Sequence, residues 1–111
     1  MTEDEFITVI RIDRPTLTVW VDSGWLQPQG SSPGRQFSDI DVARAQLISD
    51  LIGPMGVNAE GVDIILDLLD QLHGLRAAMN GLRQTLEAQP EDVRHRVRSE
   101  LRRLGGRVRQ L

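Results

Sequence analysis

The sequence predicts a mostly α-helical chain dominated by one long amphipathic helix. Two observations carry that expectation. Apolar residues recur at steps of three and four through the last two-thirds of the 111 residues. Aromatic residues make up only 4% of the chain, so a core must come from Leu, Ile and Val, which suits helix packed on helix. At this length the chain holds one domain plus an extension, not two full cores.

The first third reads two ways. Phe6–Ile12 and Thr16–Val21 are rich in β-branched residues, which propensity alone reads as the two strands of a hairpin. Equally, Asp13 stands before Pro15 as an N-cap stands before a first-turn proline. Leu17, Trp20 and Val21 then share one helical face, with Gly24 as a terminator. Gln29–Gly34 is a loop by composition, and Trp25-Leu26 and Phe37 flank it as two short strands might flank a turn.

The remaining elements are plainer. Ser38 caps a helix and Asp41, three residues on, completes a capping box. Val42, Ala43, Leu47, Ile48, Leu51 and Ile52 follow at helical spacing until Gly53-Pro54 stops them. Asn58 is the next cap. From there Val62, Leu66, Leu69, Leu72, Leu75, Met79, Leu82 and Leu86 form a near-heptad seam, ended by Gln89-Pro90. A last helix carries Val93, Val97, Leu101, Leu104, Val108 and Leu111, with Glu91 and Asp92 early and its arginines late, as the helix dipole favours. Gly105-Gly106 should fray its end. The expected organisation is therefore residues 1–56, a long partner or dimerisation helix over 57–89, and a basic helical extension over 90–111.

Charge is unevenly divided. Residues 1–88 hold six arginines against thirteen acids, a net of −7, while residues 89–111 hold seven arginines against three acids, a net of +4. The main body therefore repels nucleic acid at long range, and only the tail attracts it. With no cysteine there are no disulfides and no thiolate metal sites. The acidic opening Thr2-Glu3-Asp4-Glu5 is no export signal and no apolar run nears the roughly 20 residues of a membrane span, so a cytoplasmic protein is expected.

Thr16-Leu17, Trp20, Gly24, Trp25-Leu26 and Pro28, then a loop and Arg35-Gln-Phe-Ser-Asp-Ile-Asp41, resemble the MerR-like winged helix-turn-helix. The segments QFSDIDVARAQLISDL and GVNAEGVDIILDLLDQLHGLR look more particularly like the CbpM chaperone-modulator family. The resemblance covers about residues 3–88. It implies short helices over 3–10 and 14–22 in place of strands, a wing, and a homodimer in which long helices run antiparallel. It also implies a function: binding the J-domain of a CbpA/DnaJ-type co-chaperone and inhibiting its stimulation of Hsp70.

The alternative is a MerR-like DNA-binding transcriptional regulator. The residues disfavour it. Thr18 stands where DNA-binding relatives commonly carry a basic residue, Asp22 adds a like charge, and the wing offers only Arg35. Sequence-specific DNA binding is therefore not expected.

Glu60, Asp63, Asp67 and Asp70 step by three, four and three along one face of the long helix. Like charges at that spacing repel by a few tenths of a kcal/mol per pair, roughly. The helix dipole accounts for Glu60 and Asp63 but fades before Asp67 and Asp70. On residues alone this is a solvated face. A J-domain carries a basic helix, so the resemblance makes the row a docking edge, with Asp50 or Glu3–Glu5 at its rim. Ile64, Ile65 and Leu68 should pack on the winged-helix core through Leu47, Leu51 and Trp20. Beyond Gln71 only the narrow seam Leu72, Leu75, Met79, Leu82 and Leu86 remains, and it needs a partner: a second copy, or residues 91–111 folded back.

No catalytic constellation appears. His73 and His95 lack partners at ligand spacing, the Gly30–Gly34 loop has no phosphate-binding lysine, and Asp39 and Asp41 fit capping better than acid–base work. Trp20 and Trp25 read as core. The chain is expected to be neither an enzyme nor a cofactor or metal carrier.

Overall fold

A computed structural model describes the backbone of residues 1–109 and the side chains of residues 1–105. It contains α1 (Glu3–Ile10), α2 (Arg14–Asp22), α3 (Asp39–Ile52), α4 (Ala59–Glu87) and α5 (Glu91–Arg109). The chain divides into two compact units, Met1–Leu69 and Asp70–Leu111. Leu111, the last apolar step of the expected seam in α5, lies outside the described residues, as does the side chain of Val108.

The N-terminal third is helical because its caps are local and complete. The Thr2 side chain accepts from the Glu5 amide, and three acids fill the first turn of α1. The Asp13 carboxylate accepts from the Thr16 amide at 2.8 Å, with Pro15 in the first turn of α2. Each β-branched run then buries only its helical face: Phe6 and Ile10 from α1, Leu17 and Trp20 from α2. Tertiary burial thus overrides the strand propensity of both segments.

Gly24 takes φ +78 and turns the chain out of α2, as its terminator position predicts. The wing that follows corrects one expectation. Trp25-Leu26 and Phe37 are not paired strands but buried core. Pairing is confined to a single bridge further out, where Gln29 and Gln36 exchange amide–carbonyl bonds of 3.0 and 2.8 Å. The apolar side chains are drawn inward. Phe37 stacks on Phe6 of α1 with ring centroids 4.1 Å apart.

The capping box at Ser38 and Asp41 is present in both directions, and Asp41 is buried by it. Ala45, Ile48 and Leu51 of α3 complete the core with Val62 and Leu66 of α4. Asn58 starts α4, its side chain accepting from the Gly61 amide at 2.8 Å. In the second unit α4 turns through residues 88–90 into α5, and α5 continues through Gly105-Gly106 as helix, where fraying was expected.

Candidate functional site

The helix-turn-helix surface has little free cationic character. Residues 1–58 carry four arginines, and three are committed within the unit. Arg14 reaches Glu3 at 2.8 Å and also pairs with Asp4. Arg35, the wing arginine, lies 3.6 Å from the other Glu3 oxygen and is only 16% exposed. Arg44 donates from Nε to the Trp25 carbonyl. On α2 the exposed residues are Arg14, Pro15, Thr18, Val19 and Asp22, and the one cation among them is paired with Glu3 and Asp4.

This arrangement also corrects the expected rim. Glu3 is 11% exposed and held between two arginines, so it is a structural ion-pair partner and not part of an open acidic edge. Asp4 is paired with Arg14, and Glu5 accepts from the Thr2 hydroxyl. Asp50 is exposed on α3.

All four acids of the α4 row, Glu60, Asp63, Asp67 and Asp70, are exposed. They are not idle. The Trp25 indole N–H donates to Asp63, pinning the buried ring to the start of α4. Asp67 and Asp70 each take part in an interaction within the chain as well. The Asp63–Trp25 link was not read from the sequence. A tryptophan just beyond a helix terminator carries an N–H that needs an acceptor when buried, but 38 residues separate the two partners.

The apolar faces of α4 are also rearranged. Val62 and Leu66 are 0% and 3% exposed, whereas Ile64 and Leu68 are 61% and 58% exposed. Residues two apart lie about 200° apart on a helix, so one pair must face out when the other faces in. Ile64 and Leu68 therefore do not pack on the core as expected; Ile65 alone of that trio packs against it. They extend the outward seam instead. Ile64, Leu68, Leu72, Leu75, Met79 and Leu82 form one exposed stripe, stepping by four, four, three, four and three, and the acids lie along its flank.

In the second unit the seam is only partly covered. Leu86, Val93 and Val97 are half-buried where α5 returns on α4. Between the helices lies an open groove of about 550 Å³, lined by Met79, Leu82 and Leu86 from α4 and Val93, Val97 and Leu101 from α5. The alternative in which α5 hides the seam is thus realised only at the corner. Among the described residues no group of three acids or histidines gathers as metal ligands, and no helix is long and apolar enough to cross a membrane.

No curated protein and no solved structure matches this sequence. Residues 1–84 match the family described as "MerR HTH family regulatory protein", spanning α1, α2, the wing, α3 and most of α4, with α5 outside the match. The match covers well over half of the chain, which belongs to the MerR helix-turn-helix family of regulatory proteins.

Proposed function

We propose that this chain is a non-enzymatic chaperone modulator. It binds the J-domain of a CbpA/DnaJ-type co-chaperone through the acidic edge of α4 and so inhibits stimulation of Hsp70. It acts as a cytoplasmic homodimer joined along Leu72, Leu75, Met79, Leu82 and Leu86. CbpM-type modulators are members of the same family.

One observation carries this reading over DNA binding: three of the four arginines of residues 1–58 are engaged inside the unit. Arg14 and Arg35 converge on Glu3, and Arg44 is held by the Trp25 carbonyl. Phosphate binding draws its free energy from cations that release counterions on contact, and cations already paired within a net −7 body release few. The same negative body favours a basic partner. Glu60, Asp63, Asp67 and Asp70 present that charge on a rigid helix, which is suited to steering and registering a basic helix.

The test is titration calorimetry against an isolated J-domain at two salt concentrations. Replacing Asp63, Asp67 and Asp70 with Asn keeps the acceptor for Trp25 and removes three charges. Binding should weaken about tenfold or more, the sum of three screened charge pairs, and its salt dependence should flatten. Unchanged affinity removes the docking edge, and no binding to any J-domain removes the function. The family itself supports the transcriptional-regulator reading. A sequence-selective band shift at low salt would establish it.

A further inference from the structure

The helix α5 lies beyond the family match, and neither the acidic edge of α4 nor the leucine seam uses it. It is the most basic stretch of the chain. Residues 94–109 carry seven arginines against one acid, a net of +6, and that acid, Glu100, is paired with Arg103. The apolar residues of α5 are few and confined. Val93, Val97, Leu101 and Leu104 fall within an arc of about 80° on the helix. Val93 and Val97 are half-buried where α5 returns on α4, but Leu101 and Leu104 are 53% and 49% exposed. Arg94, Arg98 and Arg102 follow one edge of this stripe at i, i+4 and i+8, and form no ion pair among the described residues. Arg96 and Arg103 follow the other edge. Arginines on both edges of a narrow apolar face, on a helix that is otherwise polar, are the pattern of a helix lying in the plane of a lipid surface. Its leucines enter the acyl boundary, and its arginine stems reach back to the phosphates.

We propose that the distal half of α5 binds the surface of an anionic lipid bilayer, with Leu101 and Leu104 inserted and Arg94, Arg98 and Arg102 set against the headgroup phosphates. The contact is peripheral, since no helix among the described residues is long and apolar enough to cross a membrane. Two other acceptors satisfy less of the surface. The phosphates of a nucleic acid take the arginines but leave both leucines in water. An acidic protein helix needs a groove for its own apolar face, and the groove between α4 and α5 is lined as far as Leu101 and does not reach Leu104. A lipid surface takes both features of a lone convex helix at once. The backbone of α5 also stays helical through Gly105-Gly106, residues that weaken a helix in water, and burial of one face is the support that a lipid surface adds. The proposal uses no residue of the acidic edge or of the leucine seam, so it stands or falls apart from the proposed function.

Co-sedimentation of the full chain with vesicles tests this. The vesicles are phosphatidylcholine alone, or an equimolar mixture of phosphatidylcholine and phosphatidylglycerol. The natural chain should pellet with the mixed vesicles and stay in solution with the neutral ones, and added salt should release it. Each arginine near an anionic surface strengthens binding roughly fivefold, so the charge variant (R94Q, R98Q, R102Q) should bind roughly a hundredfold more weakly. The leucine variant (L101Q, L104Q) keeps every charge and should bind at least about tenfold more weakly, because the inserted face is lost. The replaced side chains are exposed or half-buried, and circular dichroism verifies that each variant keeps its helix content. Equal binding to neutral and anionic vesicles overturns the role of the arginines. A leucine variant that binds as the natural chain does overturns the insertion. A chain that pellets with neither lipid overturns the proposal, and binding to random-sequence duplex DNA in its place, unaffected by the leucine change, would assign the arginines to nucleic acid phosphates.

Discussion

The two compact units of this chain solve the same problem in opposite ways. Residues 1–69 enclose a core, with Phe6, Leu17, Leu26, Ile48 and Val62 fully buried, while Ile64 and Leu68 at their α4 end face outward. Residues 70–111 leave Leu72, Leu75, Met79, Leu82, Leu101 and Leu104 in water. Charge follows the same division. In the first unit Arg14, Arg35 and Arg44 are tied down, whereas in the second the described ion pairs are exposed side chains within one helix. A unit that satisfies itself is a scaffold. A unit that leaves a three-to-four spaced stripe exposed is half of an interface, because a narrow apolar seam gains stability only when a second surface covers it.

The sharpest way to break that contrast is to truncate one large apolar residue in each unit. Ile48→Ala, in the closed core, should cost about 2–5 kcal/mol, the usual price of an unfilled cavity. Leu82→Ala, at a side chain already mostly exposed, should leave the unfolding of a dilute sample nearly unchanged and instead weaken self-association. Urea denaturation at low concentration and sedimentation at high concentration separate the two effects. Equal losses of stability from both variants would mean that the second unit is as self-sufficient as the first.

How much of this was legible from residues differs between the units for physical reasons. Caps are local, so Ser38 with Asp41, and Asn58, placed two helix starts correctly. The helices over 3–10 and 14–22 were not fixed by local pattern, because Phe6–Ile12 and Thr16–Val21 have strand propensity. It was resemblance to a fold that decided them, and burial of one face that makes them helical. The direction of Ile64 and Leu68 was misread, since a helix with apolar residues on two sides does not declare which side meets the core. The commitment of Glu3 to Arg14 and Arg35 was invisible, because such pairs join residues 11 and 32 positions apart.

A smaller effect tests the first unit's habit of satisfying its own polar groups. Trp25 is buried, and its indole N–H is given to Asp63. Trp25→Phe keeps most of the ring and removes the donor, so the loss should be about 1 kcal/mol from the hydrogen bond plus a modest repacking cost. Combined with Asp63→Ala the losses should be less than additive, because either change alone removes the one shared bond. A double-mutant cycle by urea denaturation reads this directly. Strict additivity would mean that Asp63 owes its place to the acidic edge alone and does not anchor the first unit.

The smallest expected effect concerns the cap of α2. The Asp13 carboxyl is held below its ordinary value of 3.8, first by the hydrogen bond from the Thr16 side chain and then by the Thr16 backbone amide. Folding therefore favours its ionised form. The stabilisation it gives is present above the unfolded value, and is lost as pH falls through the lower, folded value. Asn at position 13 can also cap a helix but does not titrate in this range. The natural chain should thus melt at a slightly higher temperature than Asp13→Asn at neutral pH, and the difference should shrink as pH falls below 4, roughly. Every other carboxylate titrates alike in both proteins and drops out of the comparison. A melting difference that stays constant, or widens, on acidification would show that the cap draws nothing from the charge of Asp13.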